Sequence, residues 1–185
     1  MSRIFVECVE AEEVAVGDAL TAALVVAKPS PDGRATLLAA AANPWVRFLG
    51  GFAALVDVSR EVAERMLDRA EAGADWVAGP LPGVNVVHLA GGQATLGADV
   101  GLVRMGPGAV FPPHEHLGVE SIVVLAGGYA DRAGYTLVAG DAETRQVGEP
   151  HSFVAGPDGV VFAVVLREGI AVADPSGGPA VVVRG

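Results

Sequence analysis

A mainly-β domain, a sandwich or barrel of short strands preceded by a helical N-terminal region, is the fold class that the sequence predicts. Three observations carry it. From Pro80 onward, short β-rich runs alternate with Gly, Pro and Asp turns, the pattern of closely spaced antiparallel strands. Before that point, residues 1–73 are rich in Ala, Leu and Val at helical spacing. Between Gly108 and Gly127 the chain places His114, His116 and Glu120, a ligand-like set that needs a strand to present it.

Taken in order, residues 3–9 have β character, with Ile4, Val6 and Cys8 on one parity. Cys8 reads as a small packed hydrophobe. Helix is expected over residues 16–28 and 34–42, separated by the turn Pro29-Ser-Pro-Asp-Gly33 and ended by Asn43-Pro44. Trp45, Phe48, Leu49, Phe52 and Val56 then recur as one apolar helical face. Gly50 and Gly51 inside it weaken the helix by roughly 1 kcal/mol each, or admit a close backbone neighbour. Ser59 is a plausible N-cap for the next helix, with Glu61 in its first turn and Gly73 past its end. Val62, Met66, Leu67 and Ala70 form its apolar side. The face of residues 45–70 is expected to pack on the β domain or on a second subunit. Strands are expected at Val84–Leu89, Ala94–Met105, Val119–Tyr129, Tyr135–Val138, Asp141–Gln146, His151–Val154 and Val160–Leu166, with edge strands at Ile170–Ala173 and Ala180–Arg184. There is no internal repeat, so one barrel is expected.

Composition narrows the function. Apolar residues make up 51% of the 185, with 25 Gly and 12 Pro, which favours a filled core with many turns over disorder. The net charge of −10 and the absence of any Lys/Arg cluster argue against a nucleic-acid partner. A single cysteine makes no disulfide framework, so a cytoplasmic setting is expected. Neither a signal peptide nor an apolar run of membrane-spanning length is read, so no membrane partner is expected.

Residues i and i+2 of a strand face one side, so His114 and His116 point into one space. Glu120 follows on the next strand, after the turn at Leu117-Gly118, and can reach back. Imidazole and carboxylate at this spacing suit zinc and other first-row divalent metals. A fourth ligand must come from elsewhere, and His151 is the candidate. It opens a strand after the turn at Gly140-Asp141, a strand, and a second turn at Gly148-Glu-Pro. Three neutral imidazoles and one carboxylate would leave a divalent ion at a net charge of +1. His88 reads as a packed or rim histidine, Glu115 as pointing away by parity, and Tyr129, Asp131 and Tyr135 as turn or surface residues. Nothing resembles a Ser/His/Asp triad, a P-loop or a dinucleotide fingerprint.

The segment Gly108-x5-His114-x-His116-x3-Glu120-x6-Gly127 resembles the first cupin motif with every marked position filled. Gly140, Gly148 and His151 match the second, which departs at Gln146 and Ala155, where proline and asparagine usually stand. This resemblance implies a single cupin domain of the RmlC-like, jelly-roll type, with one divalent metal held by His114, His116, Glu120 and His151. Over roughly residues 75–170 a narrower resemblance, through Trp76, Pro82-Gly83-Val84, Val103-Arg104, Pro107-Gly108-Ala109 and Val124-Leu125-x-Gly-Gly, is to the C-terminal cupin domain of ChrR-type zinc-binding anti-sigma factors. It implies zinc, with Fe, Mn, Ni and Cu as alternatives, a sigma factor as partner, and a helical region (1–75) before a cupin barrel (76–185). That family's N-terminal domain holds its own zinc through His and Cys, whereas residues 1–75 here hold one Cys and no His. Such a domain works without metal, or is a variant that does not bind a sigma factor. A regulatory or sensory module is the first functional expectation. A small metal-dependent, dioxygenase-like enzyme acting on a small molecule in the barrel is the second. A homodimer is the expected assembly.

Overall fold

The computed structural model of the protein describes residues 43–173 and 178–184, together with Ser30 and Gly33. The chain divides into two compact units, Met1–Leu38 and Ala39–Gly185. The helices and strands whose bounds are described belong to the second unit. The strand expected at 3–9, the helices at 16–28 and 34–42, the turn at 29–33 apart from Ser30 and Gly33, and Cys8 lie outside the described residues.

The first described element of the second unit is a 3-10 helix, Pro44–Phe48, running directly into helix α1, Leu49–Val56. Asn43 starts it: its side-chain oxygen accepts the Trp45 amide at 2.9 Å, and Pro44 follows at the first helical position. Helix α2, Arg60–Glu71, is capped by Ser59 Oγ on the Val62 amide at 3.4 Å and ends at Gly73, φ +86°. No backbone lies within 4 Å of a Cβ added at Gly50 or Gly51, so they do not serve a close approach.

Among the described residues ten strands come after the helices, all paired antiparallel: β1 Val77–Ala78, β2 Val84–His88, β3 Asp99–Met105, β4 Val110–His116, β5 Glu120–Asp131, β6 Thr136–Val138, β7 Ala142–Arg145, β8 Pro150–Leu166, β9 Ile170–Val172 and β10 Val181–Val183. They curl into one sheet in the order β1-β2-β3-β8-β4-β9-β10, with β5 joining β8 to β6 and β7. The mainly-β expectation holds. Two differences are instructive. The strand expected from Ala94 begins at Asp99, because the Asp57 carboxylate takes the Ala94 amide (2.7 Å) and Thr95 Oγ bonds the Gly92 carbonyl, winding Gln93–Thr95 into a 3-10 turn. The runs expected at 151–154 and 160–166 are one strand, β8. Along it, Gly156-Pro-Asp-Gly159 is looped out, because β5 steps from Gly127 to Tyr129 while β8 steps from Val160 to Ala155. The left-handed Gly127 and Gly159 (φ +61° and +74°) make this corner, and a Cβ on Gly127 would run into the Gly159 carbonyl.

The central strands are buried on both faces. Ile122, Val124, Val160 and Phe162 point into the barrel with Val84, Met105, Tyr129 and Phe153. Val123, Leu125, Val161, Ala163 and Val165 point the other way, onto Trp45, Leu49, Phe52, Val56 and Leu67 of the helical segment. That double burial explains why these strands read as continuous apolar runs rather than as alternation. It also bears out the expectation that the 45–70 face packs on the β domain. Within the second helix the buried line is Ala63, Leu67 and Ala70, with Val62 and Met66 half-buried beside it. No described helix is long and apolar enough to cross a membrane.

Candidate metal centre

Strand β4 presents the first two histidines. Its burial alternates at the end, with His114 and His116 buried and Glu115 exposed between them. What aims them is a β-bulge. Register against β8 runs Phe111↔Phe153 and then His114↔His151, so Pro112-Pro113 inserts an extra residue in β4. Proline has no amide hydrogen to give to a ladder, so a bulge is where a strand tolerates a pair of them. The bulge leaves His114 directly across from His151 and frees the Pro112 carbonyl, which accepts the His114 Nδ1 hydrogen at 2.9 Å. That bond fixes the tautomer and turns the Nε2 lone pair of His114 toward the cluster.

His151, near the start of β8, is oriented in the same way by a carboxylate. Its Nδ1–H donates to Asp131 Oδ2 at 2.7 Å. Its Nε2 lies 3.1 Å from His116 Nε2, close to the roughly 3.3 Å expected between two nitrogens bound about 2.05 Å from one tetrahedral metal. The ligand nitrogens of His114, His116 and His151 all lie within 4.8 Å of one another, and the three rings are 4.3–5.1 Å apart. Glu120 opens β5, and its Oε2 is 3.8 Å from His116 Nε2. His88, at the exposed end of β2, stands outside the cluster as a rim histidine.

The donor set fits a cation. Since His151 spends its hydrogen on Asp131, its Nε2 is a bare lone pair facing His116. His116 must then either donate Nε2–H, leaving Nδ1 a buried lone pair with no partner, or hold the hydrogen on Nδ1 with no acceptor. Nδ1 of His116 indeed has no hydrogen-bond partner. A divalent cation accepts both Nε2 lone pairs at once, which removes the conflict between them. The imidazoles are also kept neutral, as metal binding requires. Burial pushes His114 down to about 4 and His116 down to about 3. Burial lowers His151 as well, against the upward pull of Asp131. For Glu120 burial works the other way and raises the carboxyl to about 7, with Arg145 opposing and Glu143 adding to the rise.

A polar network that the sequence reading did not anticipate stands behind His151. Asp131, expected at a turn or surface, is buried, and Arg145 beside it is buried too. Arg145 Nη2 donates to Asp131 Oδ2 at 2.8 Å and to the Tyr135 hydroxyl. Tyr135 and Tyr129 donate to the two oxygens of Glu143 at 2.7 and 3.2 Å. Burial alone would raise Asp131, but the Ala133 amide, His151 and Arg145 outweigh it and hold the carboxyl low, so it stays an acceptor for His151. Tyr129 is a buried wall residue, not a surface one. Asp131→Asn is expected to weaken metal binding about 10- to 100-fold in a chelator-competition titration, with the three histidines intact.

The comparisons agree with this geometry. The sequence model of the ChrR Cupin-like domain matches residues 65–169, more than half of the chain. The chain belongs to the ChrR cupin-like family. No curated protein gives a match. Among solved structures, this ChrR cupin-like chain is similar to an acetylacetone dioxygenase from Acinetobacter johnsonii (TM-score 0.51, 18% identity, 60% of this chain and 79% of that one). It is similar to a candidate acetylacetone dioxygenase from Methylibium petroleiphilum PM1 (TM-score 0.52, 19% identity, 62% and 85%). The complex of Rhodobacter sphaeroides SigE with the anti-sigma ChrR is a more distant likeness (TM-score 0.47, 22% identity, 82% and 75%). At these identities the two dioxygenase likenesses show the fold alone.

Proposed function

We propose that this ChrR cupin-like protein is a metal-dependent regulatory module. His114, His116, His151 and Glu120 hold one divalent ion, zinc in the first instance, in the barrel of residues 76–185, and a sigma factor is the partner of the helical region 1–75. The observation that carries the proposal is the buried three-histidine cluster, with the Nδ1 hydrogens of His114 and His151 directed away from the centre. A metal there acts as a Lewis acid and a fixed positive charge. The residues supply the rest. His114 and His151 are held in the Nε2-binding tautomer, while Glu120 adds the negative charge. Glu120 begins β5, the strand that packs Val123 and Leu125 on the helical segment, so the ligand set and the helices share one rigid element.

The reading is tested by elemental analysis combined with X-ray absorption on purified protein. One zinc with four protein ligands supports it, and iron or nickel with open positions moves the role toward catalysis. A metal-dependent complex with a co-expressed sigma factor tests the partner. The second reading, a small dioxygenase-like enzyme, is favoured by one feature: His114, Glu120 and His151 line a cavity of about 290 Å³, so the centre faces space that a substrate could fill.

The participation of Glu120 has its own signature. With its carboxyl near 7 in the metal-free protein and the imidazoles far lower, metal binding at pH 7 releases about half a proton. Calorimetry in buffers of different ionisation enthalpy reads that number. Glu120→Gln is expected to bring it close to zero, and an unchanged release would remove Glu120 from the ligand set.

A further inference from the structure

The cavity beside the histidines has a chemistry of its own, and it selects a ligand class. It is walled chiefly by Val84, Ile122, Phe153, Phe162, Val164 and Ile170. The phenol of Tyr129 also faces it, but that hydroxyl is committed to Glu143. Among the described lining residues Arg184 is the one Lys or Arg, and it is exposed. Arg145, the nearest buried cation, is held by Asp131, Glu143 and Tyr135. The cavity's other charged or titratable lining residues apart from the proposed ligands are His88 at the end of β2 and Asp99 at the start of β3, so the apolar wall offers neither a second buried cation for a dianion nor a row of donors and acceptors for a polyhydroxylated body. A hydroxyl buried there without a partner is costly. Buried positive charge is available at one place, the centre itself, which would carry a net +1 with a divalent ion, three neutral imidazoles and one carboxylate; the Asp99 carboxylate on the lining adds none. Volume sets the size: a cavity of about 150 Å³ holds a benzene, so about 290 Å³ takes a ring or branched chain together with a small head group.

We propose that the cavity binds small monocarboxylates with an apolar body, the carboxylate taking a further position on the metal beside the four protein ligands and the body lying against the valine, isoleucine and phenylalanine wall. This rests on the metal site proposed under the function and adds the ligand class to it. One carboxylate neutralises the centre. A second would stand in the apolar wall with no counter-charge, which is costly.

The test is calorimetric titration of the zinc-loaded full-length protein with phenylacetate, 4-carboxyphenylacetate and gluconate in turn. Phenylacetate has the apolar body and single charge, 4-carboxyphenylacetate adds a second charge at the far end of the ring, and gluconate keeps one charge on a hydroxylated body. The expected result is phenylacetate binding about tenfold or more tighter than either of the others, and losing that binding when the metal is stripped. Equal or tighter binding of 4-carboxyphenylacetate or gluconate overturns the ligand class, as does phenylacetate binding unchanged without metal. No binding of any of the three to protein that carries one zinc overturns it too, while leaving the metal site standing. Failure to load zinc at all defeats the metal site and this proposal with it. Val86→Phe, which fills the cavity from β2, a strand that pairs with β1 and β3 and carries none of the proposed ligands, should abolish phenylacetate binding and keep the zinc; Val103→Phe serves if the first variant does not fold. Retained binding in a folded, cavity-filled variant also overturns the proposal.

Discussion

His116→Ala is expected to lose stoichiometric metal, from about one ion per chain to less than about a tenth, in protein purified in the presence of zinc. His116 is completely buried, and its Nε2 is the atom that approaches both His151 (3.1 Å) and Glu120 (3.8 Å). Structural zinc contributes about 10–16 kcal/mol over four ligands, so one ligand accounts for roughly 3–4 kcal/mol, or about a hundred- to a thousandfold in affinity. Elemental analysis reads the stoichiometry and thermal unfolding reads the linkage. Zinc at about a thousand times its Kd stabilises the native state by about 4 kcal/mol, a gain that wild type shows and the variant does not. Unchanged metal content in the variant would place the ion elsewhere. The pH course of the metal-free protein gives a second check. His114 and His116 have folded values of about 4 and about 3, below the free imidazole near 6.5. The unfolded state therefore binds protons first. Their contribution is fully present above pH 6.5 and is lost as pH falls through the folded values. Glu120, raised to about 7, contributes in the opposite sense, favouring the fold below about 4.5 and losing that share as pH rises through 7. Two strongly shifted imidazoles outweigh one carboxylate, so stability falls on acidification from pH 6.5 to 4. His116→Ala flattens that fall.

How legible the site was in the sequence depended on parity. His114 and His116 are two residues apart on an intact strand end, so their shared face followed from the pleat. His151 was placed by its turn signals, and the structure brings its ring against theirs. Asp131 and Tyr129, read as turn or surface residues, are buried for a physical reason. Counting from Glu120, Ile122 and Val124 point into the barrel, so even parity marks the inside there. One register shift, between Val124 and Ala126, puts an extra residue in β5 and flips it, whereas the shift between Gly127 and Tyr129 is taken up by the loop in β8. From Gly127 on odd residues face inward, and Tyr129 and Asp131 arrive buried. Glu143 and Arg145 carried a signal that could have been used. They are opposite charges at i and i+2 on one short strand, and Arg145 is the cross-strand partner of Glu120. The helical face of Trp45, Leu49, Phe52 and Val56 was legible because its period is local, and the surface it covers became clear only when the strands showed apolar residues on both faces.

That covered surface sets the largest stability effect. Phe52→Ala is expected to destabilise the protein by about 3–5 kcal/mol, measured by the urea midpoint at unchanged m-value. Phe52 is fully buried between the helical segment and the sheet, in the cluster that includes Leu49, Val56, Leu67, Val123, Leu125 and Ala163. Removing the ring leaves a void that neither wall can close easily, since β5 and β8 are also fixed from the barrel side by Ile122, Val124 and Phe162. Domains of this size have only about 5–15 kcal/mol in total, so the variant approaches the limit of folding. Its metal content separates two roles for the helices. The void lies on the outer face of the sheet, opposite the barrel interior, so at low temperature the folded variant keeps one metal per chain. By the same logic a fragment of residues 76–185 exposes Val87, Val123, Leu125 and Ala163, and is expected to lack a cooperative transition. Full cooperative stability of that fragment would show that the helices ride on the barrel without supporting it, and would remove the physical link through β5 on which regulation from the metal centre depends.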